Sequence, residues 1–349
     1  MAVYRLNPIE DPRWAEFVAR HPSSSLFHTP HWLRALQRTY GYDPIAYTTT
    51  PPGRELANGV VFCRINSWLS GARLVSLPFS DHCQPLVDDP EVASELLRWL
   101  KRALKKENWK YVELRPLFSG DSALALNGSL APSEEYCWQV VDLRPDLAAL
   151  FRQFHKSCVQ RKIHRAEREK LKYEEGQSEA LLAKFYCLLI LTRRRHGLPP
   201  QPLAWFQNLL SCLGDRILIR VVSKGEDPVA SIVTAFHKNT LVYKYGCSDT
   251  RFNNLGGTPL LFWKAIQDAK RFGAEKYDLG RSESGNPGLI AFKENWGAVS
   301  FPLRYYRLPP ERCLNKPWQW HSRVAKNIIS KMPETLLTAT GRLLYRHIG

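Results

Sequence analysis

The two halves of this chain carry the same landmarks in the same order, and that repetition restricts the fold more than any single motif. In the first half they are Leu74-Val75, Ser80-Asp81, Pro85-Leu86, Leu96-Leu97-x-Trp99 and Lys110–Arg115. In the second they are Leu241-Val242, Ser248-Asp249, Pro259-Leu260, Leu260-Leu261-x-Trp263 and Lys276–Arg281, with only the spacers differing. An internal repeat means two copies of one supersecondary unit. Each copy reads strand, loop, helix, strand. The expectation is an α/β protein of two tandem domains, each a mixed sheet flanked by helices. They are expected over 1–140 and 141–312, with 313–349 a basic amphipathic helical tail.

The second copy is the more informative. Thr240–Tyr245 is β-branched and aromatic, which suits a strand. Asn253-Asn254-Leu255-Gly256-Gly257-Thr258-Pro259 breaks it and opens a helix, with Thr258 expected as N-cap and Pro259 at the first helical position. Leu261, Trp263, Ile266, Ala269 and Phe272 recur at helical spacing, and Gly273 stops the helix. Lys276–Leu279 is a second strand, followed by a loop. A glycine turn opening a helix offers free N–H groups and the positive end of the helix dipole to a phosphate or a developing oxyanion. The competing reading is a tight connection without a ligand.

Charge narrows the partners. The formal net charge is +16. That fits nucleic acid, a phosphorylated or lipid-linked substrate, or an anionic membrane face. No helix-turn-helix or finger motif appears, so DNA is not expected. The eight cysteines form neither a CxxC pair nor a Cys/His cluster, which gives no metal site and suits a reducing compartment. The N-terminus lacks the apolar core of a signal peptide, and Leu181–Leu191 is too short to span a bilayer. A cytoplasmic protein is expected, with peripheral contact to the inner membrane face as a further option.

The most basic stretch is His155–Lys172, read as one helix. Lys156, Arg161, Lys162, Arg165, Arg168, Lys170 and Lys172 outnumber Glu167 and Glu169. It reads as a phosphate-binding surface for RNA or a lipid-linked pyrophosphate, or as a solvated helix face. Arg193-Arg194-Arg195 closes the next helix, Ser178–His196, where cations complement the dipole and leave at least one for an anionic ligand. Asp278, at a strand end beside the glycine turn, is placed to accept a proton or orient an acceptor, or else to pair with Arg281. No Ser/His/Asp order or cysteine context points to a covalent intermediate, so direct transfer is expected. In the tail, six cations face Glu334 among Trp318, Trp320, Ile328, Leu336 and Leu343. Such helices suit an anionic membrane surface, or a cap on the second domain.

Asp278-Leu279-Gly280, Gly288-Leu289, Phe292-Lys293 and Trp296-Gly297 resemble the C-terminal signature of the FemAB/FemX transferases of the GNAT acyltransferase superfamily. Arg165-Ala166, Leu255-Gly256-Gly257 and the twofold repeat agree. With Phe79-Ser80-Asp81-His82-Cys83 and Thr192-Arg193-Arg194-Arg195, the pattern over roughly residues 25–310 resembles FemAB-related proteins of exopolysaccharide and PEP-CTERM systems, and the CelD/BioF-like domains. The resemblance implies two GNAT-like domains and transfer of an acyl or aminoacyl group to an amine or hydroxyl of a cell-envelope or exopolysaccharide precursor. The donor it implies is acyl-CoA or aminoacyl-tRNA, with no bound cofactor. It makes Lys293 the stabiliser of charge near the donor, beside Asp278 as the second catalytic candidate. Asn254, Gly256, Gly257, Thr258, Arg281 and Phe292 are the donor-side candidates. Asp81, His82, Arg161, Arg165 and Arg194 are the candidates for holding an anionic, lipid-linked acceptor. A non-catalytic binding or scaffold protein of an envelope polysaccharide system is the alternative.

Overall fold

The computed structural model describes residues 1–117, 130–309 and 323–348. The chain divides into two compact units: Met1–Tyr136, Pro302–Trp318 and Leu343–Gly349, and Cys137–Phe301 with Gln319–Arg342. The C-terminal segment is thus shared between the units.

Unit 1 begins with β1 (Tyr4–Leu6), α1 (Pro12–Arg20) and α2 (Pro30–Tyr40). The second helix is closed at both ends as its sequence demands. Thr29 accepts from the Trp32 amide, Pro30 sits in the first turn, and Gly41 takes a left-handed φ of 69°. Next come β2 (Asp43–Thr48), β3 (Val60–Ser67), β4 (Gly71–Ser76), α3 (Pro90–Lys106) and β5 (Val112–Leu114). They lie in the order β1-β2-β3-β4-β5. The first three pairings are antiparallel; β4 and β5 are parallel, with α3 as the crossover. Leu96, Leu97 and Leu100 of α3 bury against Ile45, Phe62, Leu74 and Val112. Each such leucine contributes roughly 1.5–3 kcal/mol.

At the carboxyl ends of β4 and β5, unit 1 folds its own loop inward. Arg115 donates through Nη1 to the carbonyls of Leu77 and Ser80, and the Cys83 amide donates to the Arg115 carbonyl at 2.6 Å. Ser80, His82 and Cys83 are buried there. Glu113 anchors this end between Arg115 at 2.8 Å and Arg307 at 2.7 Å. Burial pushes the Glu113 carboxyl up, but the two guanidiniums outweigh that and hold it below its ordinary range.

Unit 2 takes residues 137–142 of β6 (Ala131–Asp142), then α4 (Leu147–Gln153), a π-turn (Lys156–Gln160), α5 (Arg161–Arg168) and β7 (Lys172–Gly176). It continues through α6 (Glu179–Arg195), α7 (Leu203–Leu213), β8 (Ile217–Lys224), β9 (Asp227–His237) and β10 (Thr240–Ser248). After these come α8 (Gly257–Arg271), β11 (Lys276–Glu283), α9 (Pro287–Glu294) and the start of β12 (Val299–Leu308). The strands are ordered β6-β11-β10-β9-β8-β7. Neighbours from β7 to β10 are antiparallel, while β10 and β11 are parallel with α8 as the crossover. The repeat therefore folds as one β-α-β unit in each half. Leu74 faces Val112 and Leu241 faces Tyr277, a register one residue apart in repeat terms.

Three local expectations change. The basic stretch is not one helix: α5 ends at Arg168, Lys170 takes a φ of 52°, and β7 starts at Lys172. Its apolar positions Val159, Ile163 and Ala166 cover only two turns, after which nothing holds a helix to the core. The segment after β11 is not all loop, because Asn286 accepts from the Leu289 amide at 3.1 Å and Pro287 starts α9. The N-cap of α8 is Gly256, which puts Thr258 inside the first turn.

Beneath α8 lies a buried ion cluster. Arg220 of β8 donates to Tyr173, Glu175 and Asp268 through Nη1, and to the Thr234 hydroxyl through Nε at 3.3 Å. Within unit 2, Ile329 and Leu337, from the helices α10 (Arg323–Lys331) and α11 (Glu334–Ile348), pack on Ile190 of α6. These tail residues do act as a cap. Trp318 and Trp320 lie outside the described residues. Among those described, no helix is long and apolar enough to cross a membrane.

Candidate active site

The site arises where β10 and β11 part. Their parallel pairing runs from Thr240/Lys276 to Val242/Asp278 and ends, although β10 continues to Ser248 and β11 to Glu283. Two backbone devices drive them apart. On β10 the register against β9 shifts between Tyr243 and Tyr245. A bulge inserts one residue and turns the strand. As a result Tyr243 packs on Phe262 of α8, while Tyr245 packs on Phe206 and receives hydrogen bonds from Trp205 (2.7 Å) and Gln201 (3.1 Å). Gly246 makes room for this turn, since a Cβ there would lie 1.9 Å from the Tyr243 hydroxyl. On β11 the bend is at Gly280, with φ 69°. Asp278 Oδ1 accepts from the Gly280 amide and from Trp138 Nε1, both at 2.8 Å, which fixes that bend.

Over the carboxyl end of β10 and the start of β9 is a cavity of about 360 Å³. Its floor includes Val229 and Ala230 of β9 and Ser248 of β10. One wall is the start of α8, with Gly257, Thr258 and Pro259; another is the π-turn and α5, with Cys158, Val159 and Lys162. The third is α9, with Gly288, Ala291, Phe292 and Asn295. Crevices at strand carboxyl ends are where open α/β sheets bind ligands.

Each wall is held by identifiable bonds. Gly256 has a φ of +81°, and a Cβ on it would lie 2.1 Å from the Lys162 carbonyl oxygen. Only glycine lets the start of α8 approach the backbone of α5 this closely. Helix α9 is tied to the end of β11 by Lys293, whose Nζ donates to the Gly280 and Arg281 carbonyls at 3.0 Å each. It is tied to β6 by Gln139, which donates to the Ile290 carbonyl at 3.1 Å and accepts from Ser282 at 2.7 Å. The Asn295 carbonyl accepts from the His155 amide at 2.8 Å, which joins α9 to the π-turn. Phe262 fills the middle, stacked on Trp296 at 5.2 Å and edge-on to Phe292 at 5.5 Å.

The chemistry of the lining is cationic and donor-rich. The first turn of a helix leaves its N–H groups without intrahelical acceptors. At α8 these are the amides of Gly257 and Thr258, since Pro259 has none, and the helix dipole adds positive potential. Lys162 stands on the rim, and Arg161 and Arg168 are exposed on the same short helix. The lining holds apolar groups, amides, a thiol, hydroxyls and the Lys162 ammonium, with no carboxylate or imidazole among the described residues.

The residues singled out from sequence separate into groups. Gly257, Thr258 and Phe292 line the cavity, and Gly256 shapes its edge. Asn254 is exposed beside it, in a 3-10 turn whose Asn253 is the lining residue. Asp278, Arg281 and Lys293 belong to the β11 bend and the α9 anchor rather than to the lining. Arg165 pairs with Glu169 at 2.7 Å, and Arg194 donates to the Met332 carbonyl at 3.3 Å. Asp81 and His82 sit in the inward loop of unit 1, where the Asp81 carbonyl accepts from Tyr305 at 2.6 Å. Lys162 is one of the seven cations of the basic stretch, while Cys158, Ser248 and Asn295 are lining residues that the sequence reading did not single out. The helical spacing of Cys158 to Lys162 is the signal that could have found Cys158.

Residues 153–294 match the family profile described as acetyltransferase (GNAT) domain. No curated protein matches the chain. Among solved structures, the crystal structure of FemX aligns with a TM-score of 0.67 at 15% identity, covering 87% of this chain and 97% of that one. A tandem GNAT protein from the clavulanic acid biosynthesis pathway aligns at 0.55 and 11% identity, covering 89% and 99%. The C-terminal domain of a putative lysylphosphatidylglycerol synthetase from Agrobacterium fabrum aligns at 0.53 and 15% identity, covering 94% and 95%. At these identities the likeness is one of fold: two tandem GNAT-like α/β domains.

Proposed function

We propose that this chain, of FemX fold and with a GNAT acetyltransferase domain in its second unit, is an acyl- or aminoacyltransferase acting on an amine or hydroxyl of an anionic cell-envelope or exopolysaccharide precursor. The observation that carries the reading is the cavity of about 360 Å³ at the carboxyl end of β10, walled by α5, α8 and α9, with a helix N-terminus opening into it. Such a start suits the phosphate of a donor carrier, acyl-CoA or aminoacyl-tRNA. The gap between β10 and β11 suits its reactive arm. A strand that has lost its neighbour presents backbone N–H groups along that edge. An N–H aimed at the donor carbonyl stabilises the oxyanion that forms when the acceptor attacks.

In direct transfer the acceptor nitrogen or oxygen bonds to the carbonyl carbon and the carrier's sulfur or oxygen leaves. The proton lost by the nucleophile ends on that leaving group, directly or through water. No lining carboxylate or imidazole intervenes among the described residues, so the contribution of the site is positioning and electrostatics. The lipid-linked character of the acceptor is drawn from the chain's strong positive charge and from the resemblance in its motifs.

Native mass spectrometry with a panel of acyl-CoA thioesters and charged tRNAs tests the reading. We expect one donor class to be retained and its acyl group to pass to an amine- or hydroxyl-bearing envelope precursor. Retained tRNA is expected to weaken steeply with salt. Retention of neither class, with the acceptor present, would move the chain to the scaffold reading. Unit 1 supports that alternative in one respect, since its loop 77–84 folds into the corresponding place.

A further inference from the structure

We infer that unit 1 carries a docking patch for an anionic lipid bilayer, formed by the β3–β4 hairpin tip and the last turns of α11. The inference does not depend on the donor chemistry. At the tip, Trp68 is 87% exposed and Leu69 45% exposed; on α11, Leu343 is 70% exposed. A tryptophan this open buries little of its ring in the fold, and its amphipathic ring suits the headgroup level of a membrane.

The tip is held in place. The Leu69 and Ser70 amides both donate to the Ser67 hydroxyl at 3.1 Å. The His347 carbonyl accepts from Arg73 at 2.7 Å and from Ser70 at 3.0 Å, and the His347 ring meets Trp68 at 5.6 Å between centroids. The hairpin and the helix end therefore present their apolar groups together. Rigid presentation lowers the ordering cost of binding.

Charge decides which occupant fits. The two segments that build the patch, residues 67–71 and 343–349, contain no Asp or Glu. Arg346 and Lys110 are exposed beside them, the latter with its stem against Gly71 at 3.6 Å. Asp43 of β2 is engaged by Arg64 at 2.7 Å, and apolar groups beside exposed cations match an anionic headgroup layer over acyl chains. A nucleic acid would leave Leu69 and Leu343 without a partner.

Flotation of the full chain on phosphatidylcholine vesicles, with and without phosphatidylglycerol, is the test. Binding is expected with phosphatidylglycerol only, falling with salt. The double variant Trp68→Ser, Leu69→Ser should weaken it by about tenfold, with Leu343→Ser adding to the loss. Because these side chains are exposed, thermal unfolding should be unchanged. Brominated lipid should quench a component of the tryptophan emission that disappears in Trp68→Phe. No flotation on either vesicle overturns the inference, as does flotation that the double variant leaves intact. Self-association of the chain, relieved by the double variant without lipid, would assign the patch to a protein contact and also overturn it.

Discussion

Gly256→Ala is expected to lower donor affinity by about a hundredfold while leaving a folded chain of reduced stability. Two costs fall on the same atom. The backbone there has φ +81°, where a non-glycine residue costs about 1–3 kcal/mol. The added methyl would also lie 2.1 Å from the carbonyl oxygen of Lys162. That oxygen belongs to the main chain of α5 and has no rotamer to escape into. Helix α5 must move off the start of α8, and the rim carrying Cys158, Val159 and Lys162 moves with it. The control is Gly273→Ala at the other end of α8. Its φ is +75°, but nothing lies within 4 Å of the added carbon. It should cost stability by strain alone and retain donor normally. Thermal unfolding and mass-spectrometric titration of both variants make the comparison. Equal donor retention by the two would remove the α8 start from the site.

The second large effect concerns Lys293. The residue is 2% exposed, and its ammonium is bound to two main-chain carbonyls where β11 bends. Lys293→Met keeps the bulk and removes the donors, leaving those carbonyls buried. Each such group costs about 1–3 kcal/mol. Helix α9 would lose its tie to β11, and Phe292 and Ala291 would lose their positions in the cavity wall. The expected outcome is a thermal midpoint several degrees lower and a rise in donor dissociation constant that accompanies the fall in rate. A lysine acting on developing charge at the donor would behave otherwise, with kcat reduced and both stability and donor binding near wild type. The pairing of the three readouts separates a positioning residue from a catalytic one.

Much of the fold was legible because repetition and punctuation agreed. Thr29-Pro30 and Gly41 bounded α2 to the residue, and Leu74-Val75, Leu96–Trp99 and Lys110–Arg115 fell on a strand, a helix and a strand corresponding to those of Leu241-Val242, Leu260–Trp263 and Lys276–Arg281, whereas Pro85-Leu86 lies in a loop and Pro259-Leu260 in α8. What could not be read depends on tertiary approach. Nothing in the spacing shows that Gly256 touches the backbone of Lys162, so the lysine passed as one cation among seven. The bulge that turns Tyr243 and Tyr245 to opposite faces is invisible in a run that alternates as an ordinary strand would. Lys293 and Asp278 stood out as chemical groups in a polar neighbourhood. The fold buries both: Asp278 accepts from the Gly280 amide and the Trp138 indole, and Lys293 donates to the Gly280 carbonyl. The stretch after β11 reads as loop, although Asn286 and Pro287 are also a helix start signal.

Amide hydrogen exchange with the donor retained in the mass-spectrometric panel tests the central claim most directly. If the donor carrier docks on the start of α8, protection will concentrate at residues 249–261 and 155–162. Gly257 and Thr258 will be the amides most slowed. Protection that appears elsewhere, with those segments unchanged while donor is bound, would contradict the assignment of this cavity as the donor site.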